Sequence, residues 1–161
     1  MTIHEPYNFS QLLYDYEFRT DNGILYSVRF SNGAFMFVGL PPYIPVYEVS
    51  IDIIELGNKP SPPKDIRVES TIINIFRHFL MEHENSIVYV CDNLDNKHAA
   101  RNRKFNTWFQ RSKTNEIEKY DTYFTVESIE IYASLIIHAQ NSFKSEVINI
   151  FLNQQNEYDK D

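Results

Sequence analysis

One cysteine, one tryptophan and four glycines are all that a chain of 161 residues carries of those types. The lone Cys91 cannot close an internal disulfide, which excludes a disulfide-stapled secreted scaffold and sets a reducing cytoplasm as the expectation. So few glycines leave no Gly-rich loop of the kind that cradles a phosphate on bare main-chain N–H groups. No apolar run approaches the ~18 residues needed to cross a bilayer. The opening residues, MTIHEPYNFSQLLYDYEF, lack a basic stretch followed by an apolar one, so neither a signal peptide nor an anchor is expected. Positive charge is scarce too: 15 Lys and Arg against 22 Asp and Glu give a net charge of −7.

That shortage is uneven. From Asn96 to Asn115 there are no acids and six cations, Lys97, Arg101, Arg103, Lys104, Arg111 and Lys113, so the rest of the chain carries −13. The protein reads as an acidic body with one basic element. A hydrophobic content of 43% and an aromatic content of 15% suffice for one sizeable core. A single domain over 1–161 is therefore expected, with frayed ends at about 1–8 and 156–161.

Hydrophobic periodicity divides the chain near Asp65. Before it, Tyr14, Tyr16 and Phe18 alternate in strand fashion, and Asp21-Asn22-Gly23 supplies a turn into a strand over Ile24 to Phe30. Asn32-Gly33 is a hairpin signal and predicts a third strand over Ala34 to Val38. A fourth, central strand is expected from Val46 to Leu56. The segment Gly57 to Lys64 holds three prolines and can only be a surface connection. Beyond it Val68, Ile72, Ile75, Phe76 and Phe79 fall at helical spacing behind Asp65, a suitable N-cap, in a helix ending near His83 to Asn85.

Ser86 to Cys91 reads as a buried strand, followed by a loop in which Asp95 can cap the next helix. That helix, about Asn96 to Ser112, places Phe105, Trp108 and Phe109 on one stripe, which predicts a largely buried Trp108. Two strands, about 117–126 and 129–139, precede a last helix around Phe143, Val147, Ile150 and Phe151. The fold class expected is α+β: a mixed, largely antiparallel sheet of six or seven strands with three helices, in the order four strands, helix, strand, helix, two strands, helix.

The stretch DIRVESTI at 65–72 followed by YVCDNLDNKHAARNRKFNTWF at 89–109 resembles an uncharacterised family of short bacterial proteins found mainly in Bacteroidetes. The resemblance carries a pattern and no role: Asp65, Thr71 and Ile72; Cys91, Asp92 and Asp95; Arg101, Arg103, Phe105 and Trp108. The element order also resembles that of the Gcn5-related N-acetyltransferases, and Asn96-x-x-Ala99 is similar to the Asn-x-x-Ala opening their corresponding helix. This likeness implies an acetyltransferase-like fold. Where those enzymes wrap the acyl-CoA pyrophosphate in a Gly-rich loop, this chain has GNKPSPPKDIRV, whose prolines lack N–H groups.

Among candidate chemistry, His78 and His83 are spaced five apart, which does not suit a metal pair on one helical face, and His98 and His138 lie in no motif. No metal is expected, and no cofactor unless acetyl-CoA under the acetyltransferase reading, where Tyr120 or Tyr123 would be the general acid. Asp92 and Asp95 beside Cys91 oppose a thiolate. Arg101 shares the aromatic face of its helix and needs a partner there. Either it pairs structurally with Asp92 or Asp65, or it grips an anion with Arg67 near the starts of the two crossover helices. Arg103 points nearly opposite, toward solvent.

The preferred functional expectation is a non-enzymatic binding or regulatory module. Its basic helix, with Lys97, Arg101, Arg103 and Lys104, would meet an anionic partner, either an acidic protein or a second copy of the chain. The alternatives are an acyl-CoA-dependent transferase with a degenerate pyrophosphate loop and, disfavoured by the acidic body, nucleic-acid binding through the same helix.

Overall fold

The computed structural model describes residues 5–92, 94, 96–112 and 114–153. Seven strands form one sheet in the order β1-β2-β3-β4-β5-β7-β6. They are β1 (Ser10–Leu12), β2 (Asp15–Arg19), β3 (Leu25–Asn32), β4 (Val46–Glu55), β5 (Ser86–Asp92), β6 (Ile117–Val126) and β7 (Ile129–His138). Three helices complete the order, α1 (Ile66–Phe79) between β4 and β5, α2 (His98–Arg111) between β5 and β6, and α3 (Lys144–Leu152) after β7. The α+β class and the largely antiparallel sheet are as the periodicity implies. β4 and β5 alone run parallel, as the crossover through α1 requires.

Their pairing is brief. It runs from Val46↔Ser86 to Glu48↔Val88 and stops, while β4 continues against β3 as far as Glu55. Past Glu48 and Val88 the two central strands part, and among the described residues no ladder continues on that side of β4.

β5 and β7 are buried on both faces, which is why SIVYVC and ASLIIH read as nearly continuous apolar runs. Ile87 and Ile136 face one core beneath α1 and α2, with Val28, Phe30, Val49, Ile72, Phe76 and Phe105. Val88, Leu135 and Ile137 face a second core, closed by Val147 and Phe151 of α3 and by Met36, Phe37 and Ile44 of the β3–β4 connection.

Three expectations are corrected. Ala34–Met36 is a turn of 3-10 helix, and no strand covers Ala34 to Val38. The Asn-Gly hairpin turn needs positive φ at both residues, but Gly33 has φ −103° and donates its N–H to the Val46 carbonyl at 3.0 Å. In place of that strand, β1 supplies the fourth member of the N-terminal set. Within the segment expected to fray, Tyr7 is buried, and its main-chain N–H donates to Thr71 Oγ1 at 2.8 Å. Finally, α1 stops at Phe79, so His83 lies in the turn before β5.

Candidate functional site

The proline-rich connection delivers the chain to Asp65, whose carboxylate caps α1 by accepting the Arg67 N–H at 2.9 Å, as expected of an N-cap aspartate. Its other oxygen accepts the Tyr7 hydroxyl at 2.6 Å. Burial, then this hydrogen bond, raises the Tyr7 phenol above its ordinary range. The positive end of α1 is therefore already met by the protein's own carboxylate.

Arg67 is engaged on the same side. Its Nη1 pairs with Asp21 at 2.9 Å, its Nε donates to the Glu5 carbonyl at 2.8 Å, and its guanidinium lies 3.8 Å from the Tyr7 ring centroid. It holds the β2–β3 turn and the N-terminal segment to α1, and it does not join Arg101 in a common grip. Arg101 is half-buried, and its Nη2 donates to the main-chain carbonyl of Asp92 at 3.4 Å. The two carboxylates expected near it have other donors: that of Asp92 accepts the Leu94 N–H at 3.1 Å, and that of Asp65 accepts the Tyr7 hydroxyl and the Arg67 N–H. Asp95 lies outside the described residues, and the N-cap of α2 is Lys97.

Arg101 also sits beside Tyr89 and Cys91. Burial raises the Cys91 thiol, and hydrogen bonding to Tyr89 and the charge of Arg101 pull it part of the way back. Burial, then the neighbouring Cys91, pushes the Tyr89 phenol up strongly. A thiol held protonated in this way is a poor nucleophile.

The remaining basic residues turn outward. Lys97, Arg103 and Lys104 are exposed. Phe105 and Phe109 are buried as their stripe implies, but Trp108 is only half-buried, against the expectation. The reason is a cleft. A cavity of about 540 Å³ opens between the proline-rich connection, the first turn of α1 and the second half of α2, and Trp108 forms part of its wall. Tyr26 of β3 lines it as well, with its phenol raised by burial and then by the charge of Asp65.

Lys104 Nζ lies 5.2 Å from the Trp108 ring centroid, within cation–π range. Lys64 and Arg111 line the same cleft. Arg111 pairs with Glu69 at 2.8 Å, so that carboxylate is neutralised, and Asp65 is occupied by its two donors. Among the described residues no carboxylate pairs with Lys64 or Lys104. The cleft thus offers two ammonium groups and two half-buried aromatic faces.

Sequence reasoning singled out Lys104 and Trp108, counted Arg111 only among the cations of its helix, and gave Lys64 and Tyr26 no part in a site. The signal for Arg111 was present, since 104, 108 and 111 follow i, i+4, i+7 on one helical face. Nothing local announced Lys64 or Tyr26.

The fold and cleft define an α+β protein with a mixed seven-stranded sheet and a cationic, aromatic groove beside its second helix. Residues 64–153 match the family of unknown function DUF6169, and the chain belongs to that family. The match takes in all three helices and both lysines of the cleft. No curated protein matches the chain in sequence. Among the described residues no helix is long and apolar enough to cross a membrane, and no group of three or more His, Cys, Asp or Glu is placed to hold a metal ion.

Proposed function

We propose that the protein is a non-enzymatic binding module that takes an anionic partner in the cleft between the proline-rich connection and α2. The observation that carries this reading is the Trp108 face, half-buried in a groove with Lys104 over it and with Lys64, which pairs with no carboxylate among the described residues, in the same wall. An exposed lysine amid water needs no such wall; here ammonium groups and an aromatic face converge on one space. The acidic remainder of the chain repels an extended nucleic-acid backbone, which favours a compact anion or an acidic protein segment. A lone buried Cys91 fits a reducing cytoplasm.

Trp108 is the only tryptophan, so its fluorescence reports on the cleft alone. Titration with tripolyphosphate and with a polyglutamate peptide should change it in a salt-sensitive way. The response should disappear in Lys104→Glu and persist in Arg103→Glu. No response to either probe in the wild-type protein would sink the reading.

A second reading, an acyl-CoA-dependent transferase with an acetyltransferase-like fold, is favoured by the parting of β4 and β5. The unladdered side of β4 is open to an extended chain with amide groups, such as a pantetheine arm. Glu48 stands at the point of parting, half-buried, with its carboxyl raised by burial, as a general base requires. Against it, Pro62 and Pro63 offer no N–H to a pyrophosphate and Asp65 occupies the α1 terminus. Tyr120 and Tyr123 belong to β6, which β7 separates from β5. Stabilisation by acetyl-CoA in a thermal-shift assay, undiminished in Lys104→Glu, would support this reading over the first.

A further inference from the structure

His83 and His138 lie face to face. One stands in the turn between α1 and β5 and the other ends β7, with ring centroids 3.8 Å apart and planes within 15°. His138 Nδ1 accepts the main-chain N–H of Gln140 at 3.0 Å, so that nitrogen carries the lone pair and the proton of the neutral ring is on Nε2. This arrangement does not suit a metal, because a ring ligating through Nε2 needs its proton on Nδ1, where a donor already points.

Protonating His138 is opposed in three ways. It sets a new N–H against that of Gln140, it adds charge beside a second imidazole, and it places charge in a partly buried site. Burial and His83 hold the His138 imidazole below its ordinary range, with Glu116 pulling the other way. Most of the other charged groups nearby are engaged elsewhere. On α1, Arg77 donates to the Ser112 carbonyl at 2.8 Å and His78 Nδ1 is bonded to the Tyr16 hydroxyl at 3.1 Å. In the α1–β5 turn, Glu84 accepts the Ser142 hydroxyl at 2.5 Å and Glu82 is exposed. Between β6 and α3, Glu118 pairs with Lys144 at 2.9 Å.

The stack adjoins a seam. Ala139 N–H donates to the Glu116 carbonyl at 2.8 Å, and Asn141 N–H to that of His138 at 3.0 Å. The buried Asn141 side chain donates to Ser86 Oγ at 3.3 Å and accepts the Phe143 N–H at 2.8 Å, tying the start of α3 to the start of β5. We infer that the His83–His138 stack is a pH-sensitive latch, which holds this seam closed at neutral pH and releases it on acidification. An opened turn takes up the proton before the closed one does. Closure therefore loses stability as pH falls from about 6.5, the ordinary imidazole value, and is insensitive to pH well above it.

The test is amide hydrogen exchange at Gln140 and Asn141 from pH 8 to pH 5, corrected for intrinsic rates, with NMR titration of both rings. Protection of these amides should fall several-fold below pH 6.5 while amides of central β7 keep theirs. In His83→Phe, which retains a stacked ring without its charge, the His138 midpoint should rise toward about 6.5 and the acid loss of protection should shrink. In His138→Gln the pH dependence should vanish. Protection that does not change with pH in the wild type, or a His138 midpoint unmoved in His83→Phe, would overturn the latch.

Discussion

Arg111 reaches from the last turn of α2 to Glu69 in the first turn of α1, closing an ion pair of 2.8 Å in which the glutamate side chain is 7% exposed and the arginine 52%. The pair ties the two crossover helices together at the cleft, and its two halves are unequal. The carboxylate has given up most of its water, whereas the guanidinium has kept much of its own.

That inequality sets the response to mutation. Arg111→Ala leaves a desolvated carboxylate without its donor, at a cost of about 1 to 3 kcal/mol. This is below the ~3 to 5 kcal/mol of a pair buried on both sides, because solvent can reach in along the arginine's path. Arg103→Ala, exposed on the same helix, should change stability by less than about 0.5 kcal/mol. Urea denaturation of the two variants checks the difference.

The aromatic stripe of α2 should divide in the same way. Phe105 is 2% exposed and stacks on Tyr89 with centroids 4.4 Å apart, so Phe105→Ala should cost about 3 to 5 kcal/mol. Trp108 keeps one face in the cleft, and Trp108→Ala should cost only about 1 to 2 kcal/mol, scaled to the area it buries. A loss at Trp108 equal to that at Phe105 would show that the cleft is closed in solution.

Glu48 gives a pH dependence of defined sign. Burial raises its carboxyl in the folded protein, so its protonated form is the one folding favours. The stability it contributes is present below the unfolded value of about 4.3 and is lost as pH rises through the folded value. Glu48→Gln should therefore be more stable than wild type at pH 7, with the advantage disappearing below about pH 4. Thermal midpoints at the two pH values measure it.

Gly33 tests the β3–β4 connection. A Cβ there would come within 2.9 Å of the Glu48 nitrogen and of the Tyr47 carbonyl carbon, both main-chain atoms of β4 that cannot swing aside. Gly33→Ala should lower stability by about 1 to 3 kcal/mol although its φ is open to alanine. Gly39→Ala, where a Cβ meets nothing within 4 Å and φ is +90°, should cost only the local strain of that backbone.

Much of this architecture is local and was legible in the chain. Asp65 caps α1 because its side chain meets an N–H two residues on, and the runs that became β5, β6 and β7 lie within one residue of their expected bounds, because turn residues and alternation are properties of short segments. Lys104, Trp108 and Arg111 were equally readable as one helical face. The Asn32-Gly33 turn was not, since the contact of Gly33 with β4 displaced the hairpin its dipeptide favours. Nor were the partners of the charged side chains. Arg67 finds Asp21 because β2 and β3 bring their turn to α1, and the two histidines meet because β5 and β7 pair Ser86 with Ile137 next to them. Propensity and periodicity act over a few residues and so choose elements and their faces. Which elements become neighbours is chosen by burial of those faces against one another, and it is that choice which opened the cleft and closed the histidine stack.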